Sequence, residues 1–328
     1  MRFALVLAAA CLVAACMPKE EPEAYRGPSY TIDTDRISVS GISAGAYMAG
    51  QFHVAHSSLV KGAGIIAGGP YFCARNSLTT ALGNCVKDGA PETAVLGKEA
   101  AEFAATGRID SLDNLDGAPV WLFHSPIDAA VGRVQVDAAA EQYRNFGAEV
   151  VLVDTIEAAH GVPTLATGAA CDSFESPYLN ACEFDAAGEI LAAIHGPLDD
   201  RGDASGNLIE VDLPGAADAG LLDTAFLYVP ADCSGETACG VHVFFHGCQM
   251  SSELVGDAVL RGAGFNEWAE TNRLLVLYPQ VKSSKLAPMN PMGCFDWWGY
   301  TSEGYATKTG PQLAVIKSLL DALAGKTL

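Results

Sequence analysis

The sequence predicts an α/β fold in which a mostly parallel sheet is covered by helices on both faces. Three observations predict it. Continuous apolar runs recur along the 328-residue chain, as strands buried on both faces require, with helix-compatible stretches between them. After the β-like run Ile37-Ser38-Val39-Ser40 comes Gly41-Ile42-Ser43-Ala44-Gly45, and an apolar helical stretch begins at Ala46. That serine is framed by residues small enough for a very tight strand-to-helix turn. The cysteine content, finally, fits a disulfide-stapled chain from an oxidising compartment.

At the amino end, Met1-Arg2 precedes an apolar run over residues 3–15, followed by Cys16 and the polar stretch Pro18-Lys19-Glu20-Glu21-Pro22-Glu23. The run falls well short of the roughly 20 residues that span a bilayer, and a basic start with small residues before a cut site marks an export signal. Residues 1–15 are expected to be the signal, 16–30 a tether and 31–328 one domain. Leu12-Val13-Ala14-Ala15-Cys16 resembles the bacterial lipobox, which would make Cys16 the lipidated mature N-terminus and its lipid the chain's only link to a membrane. An ordinary signal peptide with an incidental cysteine is the alternative. The expected location is the bacterial cell envelope, or outside the cell if no lipid is added.

Strand-like apolar runs follow the serine at residues 64–67, 120–123, 150–153, 226–229, 241–245 and 274–278. Helix-compatible stretches lie between or after them at 136–146, 186–194, 266–271 and 311–324. Residues 197–220 are rich in Asp, Gly and Ala and read as a long connection or hairpin, with periodicity only at Leu208-Ile209-Glu210-Val211.

Of ten cysteines, Cys11 and Cys16 belong to the exported leader and its lipid, leaving an even set of eight. Eight allow 105 pairings. Short spacings favour Cys73 with Cys85, Cys171 with Cys182 and Cys233 with Cys239, which leaves Cys248 for Cys294. Zinc is the competing use of such residues, but no CxxC pair and no ligand-spaced histidines occur, so no metal is expected. The formal charge of −20, without any Lys/Arg cluster, argues against nucleic acid as a partner and is compatible with a neutral substrate.

A serine at such a turn becomes a nucleophile when a histidine takes its proton and a carboxylate orients that histidine, both on loops after later strands. After the run ending at Phe123 comes His124-Ser125-Pro126-Ile127-Asp128, which puts Asp128 where the acid belongs; Asp137 and Asp154 are the rivals. After the run ending at Val153 comes Ala158-Ala159-His160-Gly161-Val162-Pro163, which puts His160 where the base belongs. Phe244-Phe245-His246-Gly247-Cys248 is a strand entering a His-Gly turn, the form that supplies an oxyanion-hole amide in many esterases. The donors expected are the backbone N–H groups of Ala44 and Cys248, the latter held by a Cys248–Cys294 disulfide. His246-Gly247 as a mere strand end is the alternative.

In the usual hydrolase order this turn precedes the serine, whereas here it follows the histidine, as if the sheet had been cut and its ends rejoined. With the GISAGAYMA elbow, the Asp128 and His160 loops, the FHGC turn and the run Asn290-Pro291-Met292-Gly293-Cys294-Phe295-Asp296-Trp297-Trp298-Gly299-Tyr300, the chain resembles the poly(3-hydroxybutyrate) depolymerases with a circularly permuted α/β-hydrolase domain. The resemblance covers nearly the whole mature chain. It implies a cofactor-independent carboxylic-ester hydrolase acting on short-side-chain polyesters or oligoesters through an acyl-serine intermediate. Ser43 is then the nucleophile, His160 the proton shuttle and Asp128 its orienter, with Trp297 or Trp298 lining the substrate crevice and His246 beside it. Two core aromatics is the other reading of the tryptophans. The rival functions are a feruloyl or acetyl-xylan esterase with the same triad, and a non-catalytic envelope-binding lipoprotein on the same fold.

Overall fold

The apolar runs become strands of one eight-stranded sheet, with a small three-stranded sheet beside it. The structure, a computed structural model, describes residues 25–87 and 89–326; the expected signal, lipobox and Cys16 lie outside them. In chain order the strands are β1 (Ile32–Ile42), β2 (Ala63–Ile66), β3 (Pro119–Phe123), β4 (Glu149–Val153), β5 (Val162–Thr164), β6 (Ala169–Ala170), β7 (Leu179–Ala181), β8 (Asn207–Asp212), β9 (Thr224–Val229), β10 (Cys239–Phe245) and β11 (Leu274–Tyr278). The helices are α1 (Ala44–Ala55), α2 (Leu78–Asn84), α3 (Thr93–Ala105), α4 (Arg133–Asn145), α5 (Ala186–His195), α6 (Ser252–Val255), α7 (Ala258–Gly262), α8 (Phe265–Asn272) and α9 (Pro311–Leu323). Residues 197–220, read as a connection or hairpin, contribute β8.

Across the main sheet the order is β4-β3-β2-β1-β10-β11-β9-β8. The pairs from β4 through β11 are parallel, and the two pairs that β9 makes, with β11 and with β8, are antiparallel. The first four strands therefore fill one half of the sheet and the last four the other, which is the permuted arrangement. The chain ends of the domain meet, as the permutation requires: the Tyr30 N–H donates to the Leu323 carbonyl at 2.7 Å.

Central strands β10 and β11 are buried at every residue, which explains their apolar sequences, with His242 the one polar side chain of β10 and hydrogen-bonded within the sheet. Edge strand β8 carries Asn207, Glu210 and Asp212 outward instead, and charges of that kind blunt an edge against further pairing. Adjacent residues of β2 show that both faces are covered. Ile65 reaches toward Gly50 of α1, while a Cβ on Gly64 would meet Ile190 of α5, and successive strand residues point to opposite faces. Helix α1 is buried along its entire length, consistent with an apolar sequence all round.

Register aligns the carboxyl ends of the strands that matter. Gly41 of β1 pairs with Phe245 of β10, Ile42 with Ile66, Ile66 with Phe123 and Phe123 with Val153. The segments that follow these residues thus open on one edge of the sheet, where ligands of parallel α/β sheets bind.

Candidate active site

Ser43 stands between β1 and α1 with φ 57° and ψ −123°, a backbone region that costs a non-glycine residue on the order of 1–3 kcal/mol. Its surroundings hold it there. The Ser43 N–H donates to Ile66 O at 2.9 Å, and its own carbonyl accepts from the amides of Ala46 and Tyr47. The framing glycines answer a steric demand: a Cβ on Gly41 would lie 2.2 Å from Gly45 O, and one on Gly45 would lie 2.0 Å from Phe245 O. Gly45 thereby lets α1 sit against the end of β10, next to the His246-Gly247 turn. Ser43 is partly exposed in an otherwise buried run.

Asp128 and His160 meet although 32 residues separate them, with His160 Nδ1 2.8 Å from Asp128 Oδ2. The other carboxylate oxygen accepts from the Ala130 and Val131 amides at 2.8 and 3.0 Å. Burial pushes the Asp128 carboxyl up, but the hydrogen bond and charge of His160 together with those two amides outweigh it and hold the group below its ordinary value. The carboxylate form of Asp128 is therefore the favoured one. The rival acids are engaged elsewhere: Asp137 and Asp154 both accept from Arg133 at 2.7 Å.

The two loops are tied by Ser125, which sequence reading passed over. Its buried hydroxyl oxygen accepts from Ala158 N–H of the histidine loop at 2.9 Å and from Ile127 N–H of the acid loop at 3.2 Å. Its carbonyl accepts from Asp128 N–H. The sequence carried only a weak signal for it, a serine at a strand end.

Ser43 and His160 line the same cavity of about 150 Å³, together with Ile42, Ala130, Phe174, Tyr178, residues 247–250 and Met292. Its wall is mainly apolar, which suits an ester more than a charged substrate. Ala44 supplies the first amide of α1, a position with no acceptor inside the helix, and the Cys248 backbone belongs to the cavity wall. The turn carrying it is fixed twice, by the Cys248–Cys294 disulfide and by a 2.7 Å bond from Gln249 N–H to Met292 O.

Three other expected contacts take specific places. His246 is buried, with Nδ1 2.7 Å from Gly247 O and Nε2 3.2 Å from Val281 N. Its Nδ1–H therefore donates and its Nε2 accepts, and the ring sits behind the turn while the backbone after it lines the cavity. Burial lowers its pKa to about 4, so it is neutral. Trp297 is buried and stacks on Tyr47 of α1 at 5.0 Å, whereas Trp298 is partly exposed. Asp296 organises their loop, accepting from the amides of Trp298, Gly299, Tyr300 and Thr301.

A second Ser–His arrangement lies inside the sheet, where His242 contacts Ser38 at 2.8 Å and Ser40 at 2.7 Å. Ser38 also contacts His195, at 3.0 Å. Ser38, Ser40 and His242 are fully buried, so this network joins β1, β10 and α5 without access to a substrate. The remaining disulfides pair Cys73 with Cys85, Cys171 with Cys182 and Cys233 with Cys239, the pairing that short spacing favours.

No family model matches the chain, but individual relatives do. It is 37% identical over 336 aligned positions to a poly(3-hydroxybutyrate) depolymerase of Delftia acidovorans, covering 99% of this chain and 67% of that protein. It is 34% identical to a polyhydroxybutyrate depolymerase of Talaromyces funiculosus, covering 88% and 89% of the two chains. Among solved structures, a PHB depolymerase variant complexed with an R3HB trimer superposes with a TM-score of 0.85 at 31% identity, over 92% of this chain and 99% of that one. The PHB depolymerase from Penicillium funiculosum gives 0.84 at the same identity and coverage. The permuted sheet, the serine elbow and these full-length likenesses make the conclusion plain: the chain belongs to the poly(3-hydroxybutyrate) depolymerase family and is a carboxylic-ester hydrolase.

Proposed function

We propose that this protein hydrolyses the ester bonds of poly(3-hydroxybutyrate) or its oligomers through an acyl intermediate on Ser43. One observation carries the reading: Ser43 and the Asp128-bound His160 share one apolar cavity, in a chain similar to a protein described in complex with an R3HB trimer.

Asp128 holds the Nδ1–H of His160, which leaves Nε2 as the base. Ser43 Oγ attacks the ester carbonyl carbon while its proton passes to Nε2, and the carbonyl oxygen becomes an oxyanion that accepts from the Ala44 and Cys248 amides. Each such donor contributes roughly 3 kcal/mol to lowering the barrier. The tetrahedral carbon then expels the alcohol oxygen, which takes the proton from His160. Water enters and gives a proton to the same nitrogen as it attacks the acyl-serine, releasing the 3-hydroxy acid and restoring Ser43. The ionised Asp128 stabilises the imidazolium in both halves. Trp298, partly exposed, is the tryptophan placed to meet polymer, with Trp297 as its support and His246 as a brace for the turn.

The four disulfides mark an exported protein. Its tether is a lipid on Cys16, holding it at the cell envelope.

The test is hydrolysis by a soluble form lacking residues 1–16, and by its Ser43→Ala variant, of amorphous poly(3-hydroxybutyrate) granules, a 3-hydroxybutyrate oligomer and methyl ferulate. Serine-dependent release of 3-hydroxybutyrate from granules or oligomer is expected. Cleavage of methyl ferulate alone would move the protein to the polysaccharide esterases, and no turnover with no labelling of Ser43 by a fluorophosphonate would leave a binding protein.

A further inference from the structure

We infer that Phe174, backed by Tyr178, is the wall that receives the leaving alcohol of the scissile ester and selects an apolar, methyl-bearing one. The assignment rests on the ester-hydrolase reading and adds to it which half of the substrate this wall touches.

Phe174 is 61% exposed although it lines the cavity that holds Ser43 and His160, so its ring is open to a bound molecule. The ring is not loose on the surface. Its centroid lies 6.0 Å from that of His160 at 65°, and 5.2 Å from that of Tyr178. Both aromatics line the cavity that contains Ser43 and His160. The segment carrying them is closed by the Cys171–Cys182 disulfide. It is fastened again by Asn180, whose Nδ2 donates to Ser173 O at 2.8 Å, and by Val162 N–H, which donates to Tyr178 O at 2.9 Å. A rigid base thus presents an exposed aromatic ring against the catalytic imidazole.

The chemistry of the histidine says which part of the substrate meets it. Nδ1 is taken by Asp128, so the departing oxygen must receive its proton from Nε2 and therefore sits at His160. The alcohol beyond that oxygen extends over the surface bordering the imidazole, which is Phe174. The acyl half is drawn by its carbonyl oxygen to the backbone of residues 247–250, which also line the cavity. In a polyester of 3-hydroxybutyrate the departing oxygen is on a secondary carbon bearing a methyl group, and that methyl fits against an aromatic face. Acylation by an ester with a large apolar alcohol then depends on Phe174, whereas deacylation by water does not.

The experiment compares two esters with the same acyl unit: methyl (R)-3-hydroxybutanoate, and the linear dimer methyl ester, followed by release of methyl 3-hydroxybutanoate. Wild type, Phe174→Ala and Phe174→Leu are assayed, with circular dichroism confirming the fold. Phe174→Ala is expected to lower kcat/KM for the dimer about tenfold or more while staying within about twofold for the methyl ester, and Phe174→Leu to recover most of the loss. Equal losses on both esters would make Phe174 a support for His160 and overturn the assignment, as would no loss on either. Wild-type enzyme that cleaves neither ester and releases nothing from granules or a longer oligomer would overturn the hydrolase reading beneath it, a result distinct from both. Cleavage of the longer substrates alone would overturn the assignment of selectivity to one alcohol unit.

Discussion

The α-carbon of Gly45 lies so close to the end of β10 that any side chain there would collide with the carbonyl of Phe245, a Cβ coming to 2.0 Å. This single approach brings the helix that begins beside Ser43 against the strand that leads into the Cys248 turn. The spacing between Ser43 and the Cys248 turn is therefore set by backbone contact.

Gly45→Ala is expected to reduce activity more than a hundredfold and to destabilise the protein by about 3 kcal/mol, because the clash is with backbone that cannot rotate away. A Cβ on Gly97, inside α3, would meet nothing within 4 Å, so Gly97→Ala is expected to stabilise by about 0.5–1 kcal/mol without touching activity. Thermal unfolding and fluorophosphonate labelling of both variants check the pair.

Ser125→Ala removes the acceptor shared by the Ala158 and Ile127 amides. The buried Ala158 donor left unpaired costs about 1–3 kcal/mol, while the part-buried Ile127 amide can turn to water. The variant should also loosen Asp128 against His160, shifting the acidic limb of the kcat/KM pH profile. Urea unfolding that moves with an unchanged pH profile would limit Ser125 to a structural role.

Acid should destabilise the fold through its buried histidines. Burial lowers the pKa of His56, His195 and His246 to about 4 and that of His53 to about 3, and pushes His242 down as well. Between pH 6.5 and about 4 the unfolded chain binds more protons than the folded one, so stability falls as pH falls through that window. A loss of about 2 kcal/mol or more from pH 7 to pH 4.5 is expected, seen as a lower urea midpoint. An unchanged midpoint over that range would mean that these rings are solvated.

The Cys248–Cys294 bridge should matter to turnover as well as to folding. Replacing both cysteines by alanine frees the turn that presents the Cys248 amide, and kcat is expected to fall by about 10²-fold, the scale of one oxyanion donor. Replacing Cys233 and Cys239, remote from the cavity lining, should cost about 2–3 kcal/mol of stability and leave kcat unchanged. Calorimetry beside steady-state kinetics separates the two.

What could be read before folding is local or periodic. The buried strands announced themselves as apolar runs because burial on both faces admits a polar residue only where it finds a partner, as His242 of the fully buried β10 does with Ser38 and Ser40. The elbow was legible because a tight turn restricts residue type at fixed spacing, and His160 and Asp128 because each follows a recognisable strand. Edge strand β8 was harder to read, its Glu210 and Asp212 facing outward and breaking the apolar signal. Three of the cysteine pairs followed from short loops, which close with little entropy loss, and Cys248 with Cys294, 46 residues apart, was what remained.

By itself, then, the sequence determined the α/β class, the permuted order of its motifs and the candidates for chemistry, since these depend on residue type and near-neighbour spacing. Only the tertiary structure decided that Asp128, and not Asp137 or Asp154, meets His160, that Ser125 ties the two loops, and that His246 turns inward. It alone brought Phe174 against the imidazole. Those outcomes depend on where strand register and the crossing of distant segments leave each side chain, and a distance between residues far apart in the chain is written in no local pattern.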